Sequence, residues 1–164
     1  MPDPVAPTAP TLIDLGDLAS HAGQSLGTSS WRTVSQADVD TFARLSGDDQ
    51  WIHVDPDRAA EGPFGTTIAH GYFTLSLSTL FLYELVEVTG AALILNYGSN
   101  RVRYPTPVPV GSRLRAAVEV ADVDAIPGGV QVVYRLTYEL DSAPKPACVA
   151  DIVFRYYTAI PGKA

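Results

Sequence analysis

The segment "SGDDQWIHVD" at residues 46–55 brings an imidazole and several carboxylates together within ten residues. Asp48 and His53 are spaced so that, in a loop, both side chains can reach one cavity with a water molecule between them. A carboxylate accepts hydrogen bonds, and an imidazole gives or takes a proton near neutral pH. Trp51 and Ile52 are apolar, and we expect them to anchor the loop in the core and to exclude water. Asp48 and His53 are therefore the candidate catalytic pair.

The same residues also allow a purely structural interpretation. Asp48 follows a glycine, and an aspartate in that position often only holds a turn through its own backbone. His53 can equally be a buried histidine whose hydrogen bonds are satisfied. By inventory, a metal site could be assembled from Asp48, His53, Asp55 and His70. The chain has no tight His-x-His or Cys pair, so we predict no metal.

A second segment, "TTIAHGYFTL" at residues 66–75, places Gly71 where a long helix is predicted to begin. Free backbone amides and the positive end of the helix dipole meet at such a position. They can stabilise negative charge that develops on a carbonyl oxygen. Gly71 and its neighbours His70 and Tyr72 are therefore candidates for oxyanion or substrate binding. The alternative is that Gly71 only permits tight packing and that His70 is structural.

Composition limits the class of protein. The chain has 164 residues, of which 46% are hydrophobic and 18% charged, which suits one domain with a packed core. The net charge of −7 argues against a nucleic-acid partner, whose phosphates need clustered basic residues. The lone cysteine, Cys148, cannot form an internal disulfide, and we expect it in the core rather than as a nucleophile. His21 is expected to face solvent.

Targeting features are also missing from the sequence. The opening "MPDPVAPTAP" has neither a basic region nor an apolar run, so it does not resemble a secretory signal. The most apolar stretch, residues 72–88, is interrupted by hydroxyl and carboxyl side chains and is a poor transmembrane span. We expect a cytoplasmic protein without a membrane partner, with a flexible tail over residues 1–10 and one domain over residues 11–164.

Helical elements come first along the chain. A short helix over 12–22 is followed by a strand over 28–34, a helix from a Ser35 cap to Gly47, and a helical turn begun by Asp55 and Pro56. Residues 70–88 predict a helix of four to five turns that is apolar on nearly every side. A helix without a polar face must be enclosed by other elements.

Strands that can enclose that helix follow it in the sequence. Residues 113–123, 130–140 and 147–157 alternate apolar and polar side chains and are separated by turn residues, which predicts consecutive antiparallel strands. Residues 91–104 add one or two more strands. The fold class is therefore α+β, with a sheet packed on a helix. Three prolines after this last segment mark a sheet edge, where a second copy could pair to give a homodimer.

These segments together resemble the MaoC-like family of (R)-specific enoyl-CoA hydratases. The first family motif is matched by "GDDQWIH" at residues 47–53, and the second by "IAHG" at residues 68–71. The stretch "NYGSNRVRYPTPVPVGSRLRA" at residues 96–116 is similar to the family's strand pair and turn. The resemblance covers residues 26–157. Gln50-Trp51 stands where the family usually has Asn-Pro, which is closer to the NodN-like branch.

The resemblance implies a fold and a reaction. The fold would be a single hot-dog domain, in which a curved antiparallel sheet wraps a long central helix, and the protein would be a homodimer. Family members add water reversibly to a trans-2-enoyl-CoA and give an (R)-3-hydroxyacyl-CoA. The positions of Asp48 and His53 would hold the water, with one residue taking its proton and the other protonating the α-carbon. The Gly71 amide would polarise the thioester carbonyl. No cofactor is implied beyond the coenzyme A of the substrate.

Two further features bear on the substrate. Arg101 and Arg103 share one strand face and are possible ligands of the CoA phosphates; Arg113 and Arg115 form a second such pair. Either pair can instead be an ordinary solvated strand face. Two other functions stay open: a hot-dog thioesterase with an acid on the long helix, where Glu84 and Glu87 lie only near the end, and a non-catalytic protein that binds acyl thioesters.

Overall fold

The structure, a computed structural model, describes residues 9–160. Its elements in chain order are β1 (Thr11–Asp14), a 3-10 helix (Leu15–His21), β2 (Ser25–Thr28), β3 (Arg32–Thr33), α1 (Gln36–Ser46), α2 (Trp51–Val54), α3 (Pro56–Ala60), α4 (Gly71–Ser76), α5 (Ser78–Leu85), β4 (Val86–Thr89), β5 (Leu93–Arg103), β6 (Arg113–Ile126), β7 (Gly129–Leu140) and β8 (Ala143–Tyr157). Residues 1–8 of the expected tail, and residues 161–164 of the expected domain, lie outside the described range.

The main sheet is antiparallel, and its strands follow one another as the alternating segments predict. Its order is β2-β6-β7-β8-β5, with β3 also paired to β6. Among residues 9–160, strand β5 pairs with β8 alone and forms one edge of the sheet. Strands β1 and β4 form a separate parallel pair. The predicted α+β class is confirmed.

The core lies between this sheet and helices α4 and α5. Alternate residues of the three long strands are buried against the helices, and they include Leu114, Ala116, Val118, Val120, Val132, Tyr134, Leu136, Tyr138, Ala150, Ile152, Phe154 and Tyr156. Phe73, Phe81 and Leu82 are the buried helical side chains that meet them. Cys148 is buried in the same layer, and burial raises the pKa of its thiol to about 12. It is therefore a core residue and no nucleophile.

Helix α1 begins and ends where its sequence predicts. Ser35 and Asp38 form a reciprocal capping box, in which each side chain accepts from the other residue's backbone amide. Gly47 ends the helix in the left-handed conformation, at φ 76°. Helix α3 likewise starts at Asp55, whose carboxylate accepts from the Arg58 amide, with proline in its first turn. These two helices bracket the segment that carries Asp48 and His53.

The single long helix predicted over 70–88 is wrong in two respects. It is interrupted at Leu77, and residues 86–89 are strand β4. The hydroxyls of Thr74 and Ser76 bond back to the carbonyls of His70 and Phe73, and such bonds compete with the regular helical ladder. At the other end, Val86, Val88 and Thr89 are β-branched and favour a strand.

Helices α4 and α5 also have an exposed face, whereas the sequence predicted a helix that is enclosed on all sides. Tyr72, Leu80 and Tyr83 are exposed there. On strand β5, the exposed apolar residues are Ile94, Leu95 and Tyr97. We call these six residues the edge patch.

The N-terminal predictions were also partly wrong. Residues 12–22 form strand β1 and the 3-10 helix, because the Asp14 carboxylate accepts from the Gly16 amide and starts a tighter turn. The single strand expected over 28–34 is divided into β2 and β3. Between them, the Ser29 hydroxyl accepts a hydrogen bond from the Ala116 amide. A side chain thus replaces a backbone carbonyl as the partner of β6 at this point. Within residues 9–160, no helix is both long and apolar enough to cross a membrane.

Candidate active site

His53 is held in a defined orientation by the backbone. It lies in the short helix α2 and is buried. Its Nδ1 lies 2.7 Å from the Ile68 carbonyl oxygen, which can only accept, so Nδ1 carries the hydrogen of the neutral ring. The lone pair is therefore on Nε2. The Ile68 amide also donates to the Ile52 carbonyl at 2.9 Å. Two hydrogen bonds at Ile68 therefore join helix α2 to the segment before α4.

Asp48 faces the free nitrogen of His53. Its Oδ2 lies 4.0 Å from His53 Nε2, and its side chain is 53% exposed. That distance is too long for a direct hydrogen bond, but a water molecule can lie within about 2.8 Å of both atoms. The pair thus has room for one water between a buried base and a partly solvated carboxylate. The structure brings Asp48 and His53 together as their spacing predicts.

The environment of His53 favours its neutral form. Burial lowers the pKa of His53 below its ordinary value of 6.5, and the neighbouring His70 lowers it further, while the hydrogen bond to Ile68 and the charge of Asp48 act in the opposite direction. A neutral imidazole with Nε2 unprotonated is the form that can accept a proton from water. Orientation and protonation state therefore agree.

Gly71 and Tyr104 form one wall of the pocket at His53. The pocket has a volume of about 300 Å³ and is lined by His53, Phe64, Ile68, Ala69, Gly71, Thr74, Tyr104, Thr106, Pro107, Val108 and Ala147. Gly71 is the first residue of α4, so its amide has no carbonyl partner within that helix. A Cβ added at Gly71 would lie 3.1 Å from the Tyr104 ring. The glycine thus permits the tight packing that was the alternative interpretation, and it also lines the pocket.

The sequence is similar to that of known proteins along most of its length. A family model described as "MaoC like domain" matches residues 17–142. The 3-hydroxyacyl-thioester dehydratase Z of Mycobacterium tuberculosis is 49% identical over 147 residues, which are 89% of this chain and 97% of that protein.

The chain belongs to the MaoC-like family.

Other relatives agree with this membership. Nodulation protein N of Rhizobium leguminosarum bv. viciae is 41% identical over 142 residues, covering 85% of this chain and 88% of that protein. Among solved structures, the (R)-hydratase from A. caviae involved in PHA biosynthesis has a TM-score of 0.67 at 24% identity, with 81% of this chain and 94% of that one covered. The hot-dog fold expected from the family motifs is confirmed, as is the hydro-lyase class of enzyme.

Trp51, which departs from the usual MaoC-like motif, is an anchor of the site segment. It is half-buried, with the Arg58 guanidinium 4.6 Å from its ring centroid. Its ring also lies against Gly62, where an added Cβ would come within 2.9 Å. Ile52 is half-buried as well. The expectation that both residues anchor the segment in the core is therefore wrong in part: Trp51 packs against Arg58 and Gly62, and neither side chain is fully buried.

Two predicted ligand-binding groups lie away from the His53 pocket. Tyr72 is 75% exposed and belongs to the edge patch. Arg101 and Arg103 are exposed on β5, where they pair with Asp151 and Val149 of β8. Strand β8 buries its even-numbered residues against the helices, so the two arginines lie on the outer face of the sheet.

Gln36 is a contributor that the sequence did not reveal. Its amide nitrogen donates to the His53 carbonyl at 2.7 Å and to Asp40 at 2.8 Å, and its amide oxygen accepts from the buried Thr67 hydroxyl at 2.6 Å. It therefore ties α1 to α2 and to the segment that ends at Ile68. In the sequence, Gln36 is only the first residue after a helix cap, and nothing in its local pattern indicates these long-range bonds.

The geometry does not suit a metal ion. Asp48, His53 and His70 offer ligand atoms within 4.8 Å of one another, whereas Asp55 caps helix α3. The rings of His53 and His70 are stacked, with centroids 3.8 Å apart and an angle of 28° between their planes. Their in-plane lone pairs run side by side and cannot converge on one ion at about 2.1 Å from each. Our prediction of no metal stays a prediction, and this stacking supports it.

Proposed function

We propose that this MaoC-like protein adds water reversibly to a trans-2-enoyl-CoA and gives an (R)-3-hydroxyacyl-CoA, with coenzyme A entering only as part of the substrate. The observation that carries the proposal is the 4.0 Å gap between His53 Nε2 and Asp48 Oδ2 at the pocket that Gly71 also lines. The named activity of the M. tuberculosis relative, a 3-hydroxyacyl-thioester dehydratase, is the reverse of the same reaction.

The arrangement assigns a role to each group. In the hydration direction, His53 Nε2 takes a proton from the water, and the water oxygen bonds to C3 of the enoyl group. The electrons of the double bond move toward the thioester carbonyl, whose oxygen the Gly71 amide stabilises. The proton that His53 took passes to the Asp48 carboxylate, which delivers it to C2, so both side chains end the cycle in their starting protonation states. His53 is the better base of the two because its Nε2 is unprotonated and its Nδ1–H is held by Ile68.

The ion pairs of the sheet favour Arg101 and Arg103 as the CoA-binding pair. Arg113 bonds to Asp141 at 2.9 Å and Arg115 to Glu139 at 2.7 Å, and both guanidinium groups lie over the Trp31 ring. Arg101 and Arg103 form no ion pair with any residue in the range 9–160. We propose that they meet the CoA phosphates.

Charge reversal tests this assignment. The variant R101E/R103E should raise the KM for an acyl-CoA, and the effect should shrink at high salt because exposed charges are screened. The matched control R113E/R115E should leave KM near the wild-type value. Equal KM values for both double variants and the wild type would remove the proposal.

We also propose a homodimer built through the edge patch. No other described strand pairs with the second edge of β5, and open edges favour pairing with another chain. The exposed apolar residues of β5 flank that edge on both faces of the sheet: Ile94 pairs with the buried Tyr156, and Leu95 pairs with Arg155 of the outer face. A two-fold arrangement of β5 against its copy would cover them.

A thioesterase is disfavoured by the placement of its candidate acids. The Glu84 carboxylate accepts the Ser30 amide at 2.7 Å and ties α5 to the β2–β3 connection. Glu87 lies on strand β4 and is exposed. Neither residue lines the His53 pocket.

A direct assay distinguishes the functions. Purified protein is mixed with crotonyl-CoA and with longer trans-2-enoyl-CoA substrates, and the absorbance of the conjugated thioester is followed together with free thiol. Loss of absorbance without thiol release supports the hydratase. Thiol release would indicate the thioesterase. The absence of both signals would leave only the non-catalytic protein that binds acyl thioesters.

A further inference from the structure

His70 is buried but does not line the substrate pocket. Its exposed fraction is 3%, and it occupies the position just before helix α4. Its ring lies between His53, at a centroid distance of 3.8 Å, and Phe42, at 5.1 Å. Its Nε2 lies 2.8 Å from the Asp48 carbonyl oxygen and therefore donates a hydrogen to it. The contacts of His70 are thus with the catalytic pair itself.

The Asp48 segment has little else to hold it. Residues 44–50 are all exposed. The other hydrogen bonds of this segment are local, such as that from the Asp48 amide to Ser46 at 3.3 Å and that from the Gly47 amide to Ala43 at 2.9 Å. Within the part of the chain that the structure describes, the bond from His70 is the one that ties Asp48 to a distant residue.

A second observation separates this role from simple packing. The Nδ1 of His70 is buried and has no hydrogen-bond partner among the described residues. Burying an unpartnered polar atom is unfavourable. An aromatic side chain without nitrogen would fill the same space without that cost. The presence of a histidine at position 70 is therefore explained by the hydrogen bond that its Nε2–H donates and not by the volume of its ring.

We infer that His70 is a positioning residue, which holds the Asp48 carboxylate opposite His53 through the Asp48 backbone. The inference rests on the proposed hydratase activity for its kinetic consequence, but its structural part does not. It replaces the expectation that His70 touches the substrate.

Three substitutions separate the donor from the ring. In His70→Gln the amide nitrogen replaces Nε2, while in His70→Asn it replaces Nδ1 and does not reach Asp48. Both remove the ring equally. His70→Phe keeps the ring and its stacking but removes the donor, and it guards against a variant that fails to fold. His21→Gln, at a histidine remote from the site, is the control for substitution itself.

We expect kcat on crotonyl-CoA to fall about tenfold in the Asn and Phe variants relative to Gln, which is the effect of one hydrogen bond of about 1.4 kcal/mol. KM should change little, because His70 does not line the pocket. Equal kcat in all three variants, or a Gln variant as impaired as Asn, would overturn the inference.

Hydrogen exchange supplies a readout without activity. The amides of residues 48–50 should exchange faster in the Asn and Phe variants than in Gln. If the wild type does not hydrate enoyl-CoA, the proposed function fails, and this exchange pattern still decides the positioning role. Unchanged exchange in all three variants would exclude it.

Discussion

At the scale of single residues, the side-chain nitrogen that His53 leaves free determines what the site can do. Its other nitrogen is committed to the Ile68 carbonyl, so the ring cannot rotate to exchange roles without losing a 2.7 Å hydrogen bond. The Nε2 lone pair, which we propose takes the proton, therefore points toward Asp48 in the resting protein. Such preorganisation avoids a rearrangement during the reaction.

Removing either partner should abolish most turnover. We expect Asp48→Asn and His53→Gln each to lower kcat by about 10²- to 10⁴-fold, the range for general acid–base groups. The measurement is the rate of crotonyl-CoA hydration, with circular dichroism to verify folding. A folded variant with wild-type kcat would refute the assignment of that residue.

The depressed pKa of His53 predicts the acid limb of the activity. Because the neutral ring is the base, kcat/KM should rise with pH through a pKa below 6.5 and be level by neutral pH. His53→Gln should lose this limb from its residual activity. An acid limb centred above 6.5 would contradict the proposed environment.

The same shift affects stability in a defined direction. Above pH 6.5 both the folded and the unfolded protein hold His53 neutral. As the pH falls below 6.5, the unfolded chain gains the proton first, so His53 lowers the free energy of unfolding until its folded pKa is passed.

The closeness of Asp48 and His53 was predictable from the sequence, but the residues that hold them were not. Asp48 and His53 are close in the chain, so their spacing alone limits their separation. Gln36 and His70 act through backbone carbonyls of residues far from them in sequence. Such bonds depend on how α1, α2 and α4 pack, and a linear pattern of residue types does not encode that packing.

At the scale of elements, the contact between α4 and the residues after β5 shapes the pocket wall. The Gly71 position tolerates no side chain unless the Tyr104 ring moves. Some elements were predictable from the sequence and others were not. Helix α1 was predictable because its cap residues are local. The break at Leu77 follows a bond from the buried Thr74 hydroxyl to the His70 carbonyl, and the burial of Thr74 depends on tertiary packing.

Gly71→Ala should therefore lower kcat/KM by about 10- to 100-fold, because a small displacement in a site is costly. In the Tyr104→Ala background, Gly71→Ala should have little further effect on kcat/KM, since the space for the new methyl group is then free. Activity and thermal melting of the two single variants and the double variant measure this coupling. A full loss from Gly71→Ala in the Tyr104→Ala background would instead implicate the helix backbone.

At the scale of the whole molecule, the open edge of the sheet and the exposed apolar residues beside it both favour the proposed dimer. We expect light scattering coupled to gel filtration to give a dimer mass at micromolar concentration. Leu95→Glu, in the edge patch, should shift the protein toward monomer, because a buried unpaired charge opposes association. Leu12→Glu is the matched control, since Leu12 is 65% exposed on β1. A wild-type monomer with full activity would exclude the proposed assembly.

The order of residues along the chain separates the proposed proton-transfer groups from the four long strands of the sheet, β5 to β8. Asp48, His53, His70 and Gly71 all precede β4, and the bonds among them close short loops. Short loops cost little entropy, so such contacts form early in folding. The other residues that line the pocket, from Tyr104 to Ala147, come later in the chain. We therefore expect pulse-labelling during refolding to protect the amides of His53 and Ile68 before those of β6 and β7, with simultaneous protection arguing against it. In a refolding chain, the proposed proton-transfer groups would then be in place before the cavity for a substrate is complete.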